Sequence, residues 1–294
     1  MQSLWMIVAS LLFACMGVCV KLGAGTFSTG ELVFYRGFVG VLVVAVIARL
    51  QGVALGTPRW RLQVTRALAG CASLVCYFYA ISALPLATAV TLNYTSPIFV
   101  ALLLAFWFRE RLRGAAIASV ALGFLGVVLL LKPTLQAEQW LGACAGLGSG
   151  LVASLAYINV RELGRAGEPE ARTVLWFSAI TALLGLPWAL SGDIRAIDLS
   201  GGAILLGVGL FATLAQLAMT RAYRFGKTIV AANLAYTTVI FSSLFGVLLW
   251  DEILPLDAWI AVVLIVASGA AVSLASRPSA EPLPAGAASG RSHD

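Results

Sequence analysis

The chain has 294 residues, 61% of them apolar and 11% charged, with a formal net charge of +6 and a mean hydropathy of +0.96. Soluble domains run to roughly 45–50% apolar and about 25% charged, so neither a water-soluble single core nor a disordered chain is expected. The positive charge is scattered through loops without a basic stripe, which argues against a nucleic-acid partner.

Met1-Gln2-Ser3 leads straight into an apolar run with no basic n-region and no small-residue cleavage site, which predicts a retained first helix rather than a signal peptide. Ten runs of roughly 20 residues follow one another, each long enough to cross about 30 Å of hydrocarbon as a helix. They lie near 3–22, 30–49, 63–83, 87–108, 113–132, 140–160, 172–190, 200–222, 228–249 and 257–275. The connections are short and carry breakers or charges, as in Gly56-Thr57-Pro58-Arg59 and Lys132-Pro133-Thr134, and none is large enough for a soluble domain. Residues 278–294, rich in Pro, Ala, Ser and Gly, read as a disordered C-terminal tail.

Lys and Arg collect on alternate connections, as they must if the positive-inside rule governs a multi-pass protein. Arg49, Arg59, Arg61 and Arg66 follow the second run, Arg109, Arg111 and Arg113 the fourth, Arg161, Arg165 and Arg172 the sixth, Arg221, Arg224 and Lys227 the eighth, and Arg277 and Arg291 the tenth. The opposite side holds Lys21, Lys132 and Arg195, with Arg36 just inside the second run. Both termini are therefore expected in the cytoplasm. The five cysteines lie in apolar runs without metal-ligand spacing, and the single histidine, His293, is in the tail. No metal or cofactor is expected.

The sequence also repeats itself. At one offset Leu92, Tyr94, Thr95, Ile98, Phe99, Leu102 and Glu110 coincide with Leu234, Tyr236, Thr237, Ile240, Phe241, Leu244 and Glu252. This lays the third and fourth runs on the eighth and ninth and divides the chain into halves at 1–134 and 135–277. An odd number of spans per half means that the second half enters the membrane inverted, and a carrier with a shared cavity near the midplane is the expected architecture.

The stretch CYFYAISALPLATAVTLNYTSPIFVALLLAFWFRERLRGAAIASVALGFLGVVLLL, its counterpart AYRFGKTIVAANLAYTTVIFSSLFGVLLWDE and ELVFYRGFVGVL in the second run resemble the drug/metabolite transporter superfamily, EamA type. That resemblance covers nearly all of residues 3–276. It implies an all-α integral membrane protein of ten helices in two inverted five-helix repeats around a central cavity, in a bacterial inner membrane. Members move amino acids, nucleosides, sugar derivatives, cofactors or toxic organic compounds, and YddG-like amino-acid exporters form one branch.

Candidate solute contacts follow from what a bilayer makes expensive. Pro97, mid-way along the fourth run, has no N–H for the carbonyl of Asn93 and should kink the helix there, among Asn93, Tyr94, Thr95 and Ser96. The freed groups serve either helix packing or a cavity wall. Tyr77, Tyr79, Tyr157, Asn159, Trp176, Gln216, Asn233 and Tyr236 are the other polar or aromatic candidates. Among charged groups, Arg36 matches the family's second-helix arginine but is also close enough to the interface to snorkel, while Lys21 and Glu31 sit at run ends. No Asp or Glu stands where a buried proton relay would need one, which favours neutral or zwitterionic solutes over cationic drugs. The expected function is export of small metabolites, foremost amino acids, by alternating access. Import of a cofactor or nucleoside-type metabolite is the alternative, and an embedded enzyme is disfavoured because no catalytic groups converge. Gly142, Gly146 and Gly150 form a small-xxx-small face, read as packing within the chain, so a monomer is expected.

Overall fold

The computed structural model describes residues 4–107, 139–190, 197–225, 234–251 and 255–275, with isolated helical positions between 118 and 129. Among these residues every regular element is a helix: α1 (Trp5–Gly23), α2 (Thr29–Leu50), α3 (Trp60–Ala83), α4 (Leu86–Asn93), α5 (Ser96–Trp107), α6 (Trp140–Arg165), α7 (Glu170–Leu190), α8 (Leu199–Phe225), α9 (Thr237–Trp250) and α10 (Leu256–Ala275). Six of them, α1, α2, α3, α6, α7 and α8, are long and apolar enough to cross a bilayer. The described residues thus carry nine of the ten expected runs. Most of the fifth, the tail at 278–294 and Asn233 lie outside them.

Helix edges fall within a few residues of expectation. The second run starts where it does because Ser28 Oγ accepts the Glu31 backbone N–H at 3.2 Å while the Glu31 carboxylate accepts the Ser28 N–H at 2.7 Å, a reciprocal capping box. The fourth run, expected as one kinked helix, is two helices. α4 stops at Asn93 and α5 begins at Ser96, because the missing N–H of Pro97 leaves the Asn93 carbonyl without its helical donor.

Lipid tails are as apolar as leucine, so the bundle is held by close packing rather than by a hydrophobic drive between helices. Large apolar side chains accordingly point outward, among them Val46, Leu183 and Leu248, each at least 60% exposed. The inner faces are small. α2 packs along α7, α3 along α6 and α1 along α8, so every major pairing joins the first half to the second. Gly37 makes the α2–α7 crossing possible, since a Cβ there would run into the backbone of Ser178 and Ala182, and Gly185 answers it against the backbone of Phe34. On α6, Gly142 faces Ala83 and Leu84, Gly146 faces Leu92, and Gly150 faces the α4–α5 break itself. The small-residue face of α6 is therefore spent within the chain.

Candidate functional site

The two halves break a helix at corresponding places. Tyr94, with Thr95 after it, and Tyr236 stand at non-helical positions between helical segments, and the threonine after each tyrosine bonds back in the same way. Thr95 Oγ1 donates to the Leu92 carbonyl at 2.7 Å, and Thr237 Oγ1 donates to the Leu234 carbonyl at 2.6 Å. Each hydroxyl adds a donor to a carbonyl at the break, and that of Leu92 also accepts the Thr95 backbone N–H at 3.2 Å. Against the first break lies Gly150, whose hypothetical Cβ would stand 2.9 Å from the Asn93 carbonyl oxygen and 3.0 Å from that of Leu92. Only a residue without a side chain lets α6 approach so closely.

Beside this break a central cavity offers about 70 Å³ to the centres of water molecules, several times the roughly 10–15 Å³ that one water needs. Its wall takes Phe13 and Met16 from α1, Arg36 from α2, Arg66, Gly70, Ser73, Leu74 and Tyr77 from α3, and Asn93 and Tyr94 from the break. The second half adds Ala153, Ala156 and Tyr157 from α6, Phe177 from α7 and Gln216 from α8. Asn93 is fixed in place, since its amide donates to Ser149 Oγ at 2.8 Å, which in turn donates to the Gly146 carbonyl at 2.6 Å. Ser73 Oγ ties α3 to the same point through the Ser149 carbonyl at 2.9 Å.

Two guanidinium groups dominate the cavity's electrostatics. Arg36 is 3% exposed and Arg66 2%, and both lie over the ring of Phe177, with Cζ at 4.6 Å and 3.8 Å from its centroid. Arg66 Nη2 donates to Gln216 Oε1 at 3.0 Å, while Arg66 Nε and Nη1 and Arg36 Nε are buried with no acceptor among the described residues.

Of the residues expected from the sequence, Arg36, Tyr77, Asn93, Tyr94, Tyr157 and Gln216 meet at this cavity. The others are elsewhere. Tyr79 faces outward from α3, 37% exposed. Asn159 is half-buried and donates to Thr65 Oγ1 at 3.5 Å, and the Trp176 indole donates to the Leu55 carbonyl at 3.2 Å. Ser96 and Tyr236 are buried without lining the cavity, and the Tyr236 hydroxyl has no hydrogen-bond partner among the described residues. Lys21 donates to the Leu84 carbonyl at 3.2 Å and lies over the Trp250 ring, and Glu31 caps α2. Of Pro97, only the backbone position in α5 is described.

Arg66 and Phe177 were not expected there. Arg66 reads as a loop cation after the second run, yet it falls inside the third run, and that position is the signal the sequence carries. Phe177 carried no signal beyond being one aromatic residue in an apolar helix.

At the end of the bundle where the α2–α3 and α6–α7 connections meet, a second polar cluster forms. Gly167, with a φ of 80°, turns the chain so that Glu168 lies 6% exposed. Glu168 accepts from Thr57 Oγ1 at 2.6 Å, from Arg172 Nη1 at 3.0 Å and from Gln63 Nε2 at 3.4 Å, while Arg172 Nε donates to the Ala54 carbonyl at 2.7 Å. Burial works to raise the Glu168 pKa, but the Thr57 and Arg172 hydrogen bonds, the Arg172 charge and Gln63 outweigh it and hold the carboxyl below its usual range. Nearby, Arg224 Nη1 donates to Glu170 at 3.0 Å.

Comparison with known proteins places this architecture. The profile of the EamA-like transporter family matches residues 1–132 and again 140–274, one match for each half. The pseudopaline exporter CntI of Pseudomonas aeruginosa (strain UCBPP-PA14) is 31% identical over 84% of this chain and 87% of its own. An uncharacterized transporter of Helicobacter pylori (strain J99) is 30% identical over 91% of this chain and 93% of its own. A riboflavin transporter of Brucella anthropi is 24% identical over 77% and 81%. A solved crystal structure shares the fold with a TM-score of 0.69 at 22% identity, covering 92% of this chain and 96% of that one. With both halves matched and a 31% identical relative aligned along most of its length, the chain belongs to the EamA-like transporter family and is a multi-pass membrane transporter of small molecules.

Proposed function

We propose that this protein exports small amino-acid-type metabolites across the bacterial inner membrane by alternating access. In this reading ten helices form two inverted repeats, residues 1–134 and 135–277, with both termini in the cytoplasm. The observation that carries it is the cavity walled by α1, α2, α3 and the α4–α5 break on one side and by α6, α7 and α8 on the other. A chamber shared by two halves can be exposed to either face by rocking one half against the other. The twin breaks at Tyr94 and Tyr236 support the reading, because each supplies a point at which a helix can bend without breaking a full ladder. The exporter among its relatives supports the direction.

The test is counterflow of radiolabelled amino acids in liposomes reconstituted with the purified protein. Stimulation of uptake by unlabelled solute on the far side is expected, and its absence for every amino acid overturns the proposal. Tyr94→Ala and Asn93→Ala should lower that transport while leaving the yield of folded protein intact, as judged by size exclusion. A second reading, import of a flat ring compound, is favoured by the rings of Tyr77, Tyr94 and Tyr157 in the cavity and by the riboflavin transporters among its relatives. Riboflavin uptake in the same liposomes, in place of amino-acid counterflow, decides for it.

A further inference from the structure

We propose that Arg36 and Arg66 form a carboxylate-binding subsite, and that the solute is a small organic anion carrying two carboxylate groups. The proposal rests on the reading of the central cavity as the solute site and names the chemistry of what enters it.

The two side chains come from different helices and converge on one ring, so the fold spends two elements on bringing like charges together. That juxtaposition is unfavourable by itself. A guanidinium buried at membrane depth is costly unless paired, and the Phe177 face returns only a part of the lost hydration. Among the described residues no acidic side chain lines the cavity. The sequence sharpens this, because no Asp or Glu occurs between Glu31 and Glu110, the stretch that supplies both arginines and the break. The Gln216 oxygen satisfies one donor of Arg66, while Arg66 Nε and Nη1 and Arg36 Nε find no acceptor among the described residues. Two fixed positive charges with open donors in a water-accessible chamber call for two negative charges from the solute, and the planar guanidinium fork matches a planar carboxylate. Gly70 keeps the stack in place, since a Cβ there would stand 2.8 Å from Phe177 Cε2 and 3.2 Å from Arg66 Nη1.

The test is thermal unfolding of the purified full-length protein in detergent with succinate, L-glutamate, L-glutamine or inorganic phosphate, followed by counterflow in liposomes. Succinate or glutamate should raise the unfolding midpoint and glutamine should not. R36Q and R66Q should weaken that binding by about tenfold or more. Each should leave the unliganded protein at least as stable as the parent, because each removes a buried charge that has no carboxylate partner among the described residues. R36K, which keeps the charge and loses the fork, should bind more weakly than the parent and more tightly than R36Q. A marked loss of stability or failure to fold in both R36Q and R66Q gives the arginines a structural role and overturns the proposal. So does stabilisation by phosphate with both dicarboxylates inert, which assigns the site to phosphates. Counterflow of neutral amino acids that is insensitive to R36Q and R66Q overturns the subsite while leaving the transporter reading intact. Dicarboxylate binding that is lost in R36Q, with no counterflow of any solute, does the reverse.

Discussion

At one end of the bundle Arg172 and Arg224 each hold a carboxylate at 3.0 Å, while in its middle Arg36 and Arg66 hold none among the described residues. The first pair is partly exposed, with side chains 15% and 23% accessible, and joins connections to helices. The second pair is almost wholly enclosed. If arginines served only to fasten helices, the more deeply buried pair would need partners more, since desolvation costs rise with burial. The reverse distribution fits the proposed division between a fastening, whose partners all belong to the chain, and a site that a solute completes.

Substitutions can break this contrast or sharpen it. Glu168→Ala, which strands Arg172 in a half-buried position, should cost about 3 kcal/mol or more in stability, read as a lower unfolding midpoint in detergent. An equal loss in Arg36→Gln would erase the distinction between the two regions. Replacing both partners, Glu168→Leu with Arg172→Met, should recover much of the loss, because neither charge is then left alone. Acid should act on the same cluster. The Glu168 carboxyl titrates below its usual range when folded, so its contribution is complete above the unfolded value of about 4.3 and is lost as pH falls through the lower folded value. A pH series of unfolding midpoints should show this decline in the parent and a flatter profile in Glu168→Gln. The smallest effect is expected from Glu170→Ala. Its pair with Arg224 is about a fifth exposed on both sides, so the change should stay within about 1 kcal/mol.

Much of the bundle was readable from hydropathy because lipid enforces a simple rule, an apolar run of sufficient length wherever the chain crosses. The α4–α5 break was readable as well, since Pro97 names the carbonyl it leaves behind. What could not be read was which helices cross closely enough to assemble a wall. Arg66 looks like a loop cation because it stands six residues into α3, and only the packing of α3 on α6 and α7 turns it inward. Phe177 gains its role from where two guanidiniums arrive. Tyr79 shows the converse, since it is two residues from Tyr77 and so lies on a different face of the same helix, the outward one.

Both cavity arginines belong to the first half, and neither can leave with the cargo. Under the proposed alternating access, an unladen protein would drag two bare cations through its switch between faces, whereas one carrying a dicarboxylate would switch nearly neutral. On that proposal reorientation is easiest with a passenger aboard in each direction, so turnover would proceed as a swap of one solute for another rather than as a one-way leak, and the membrane voltage would bear chiefly on the unladen leg.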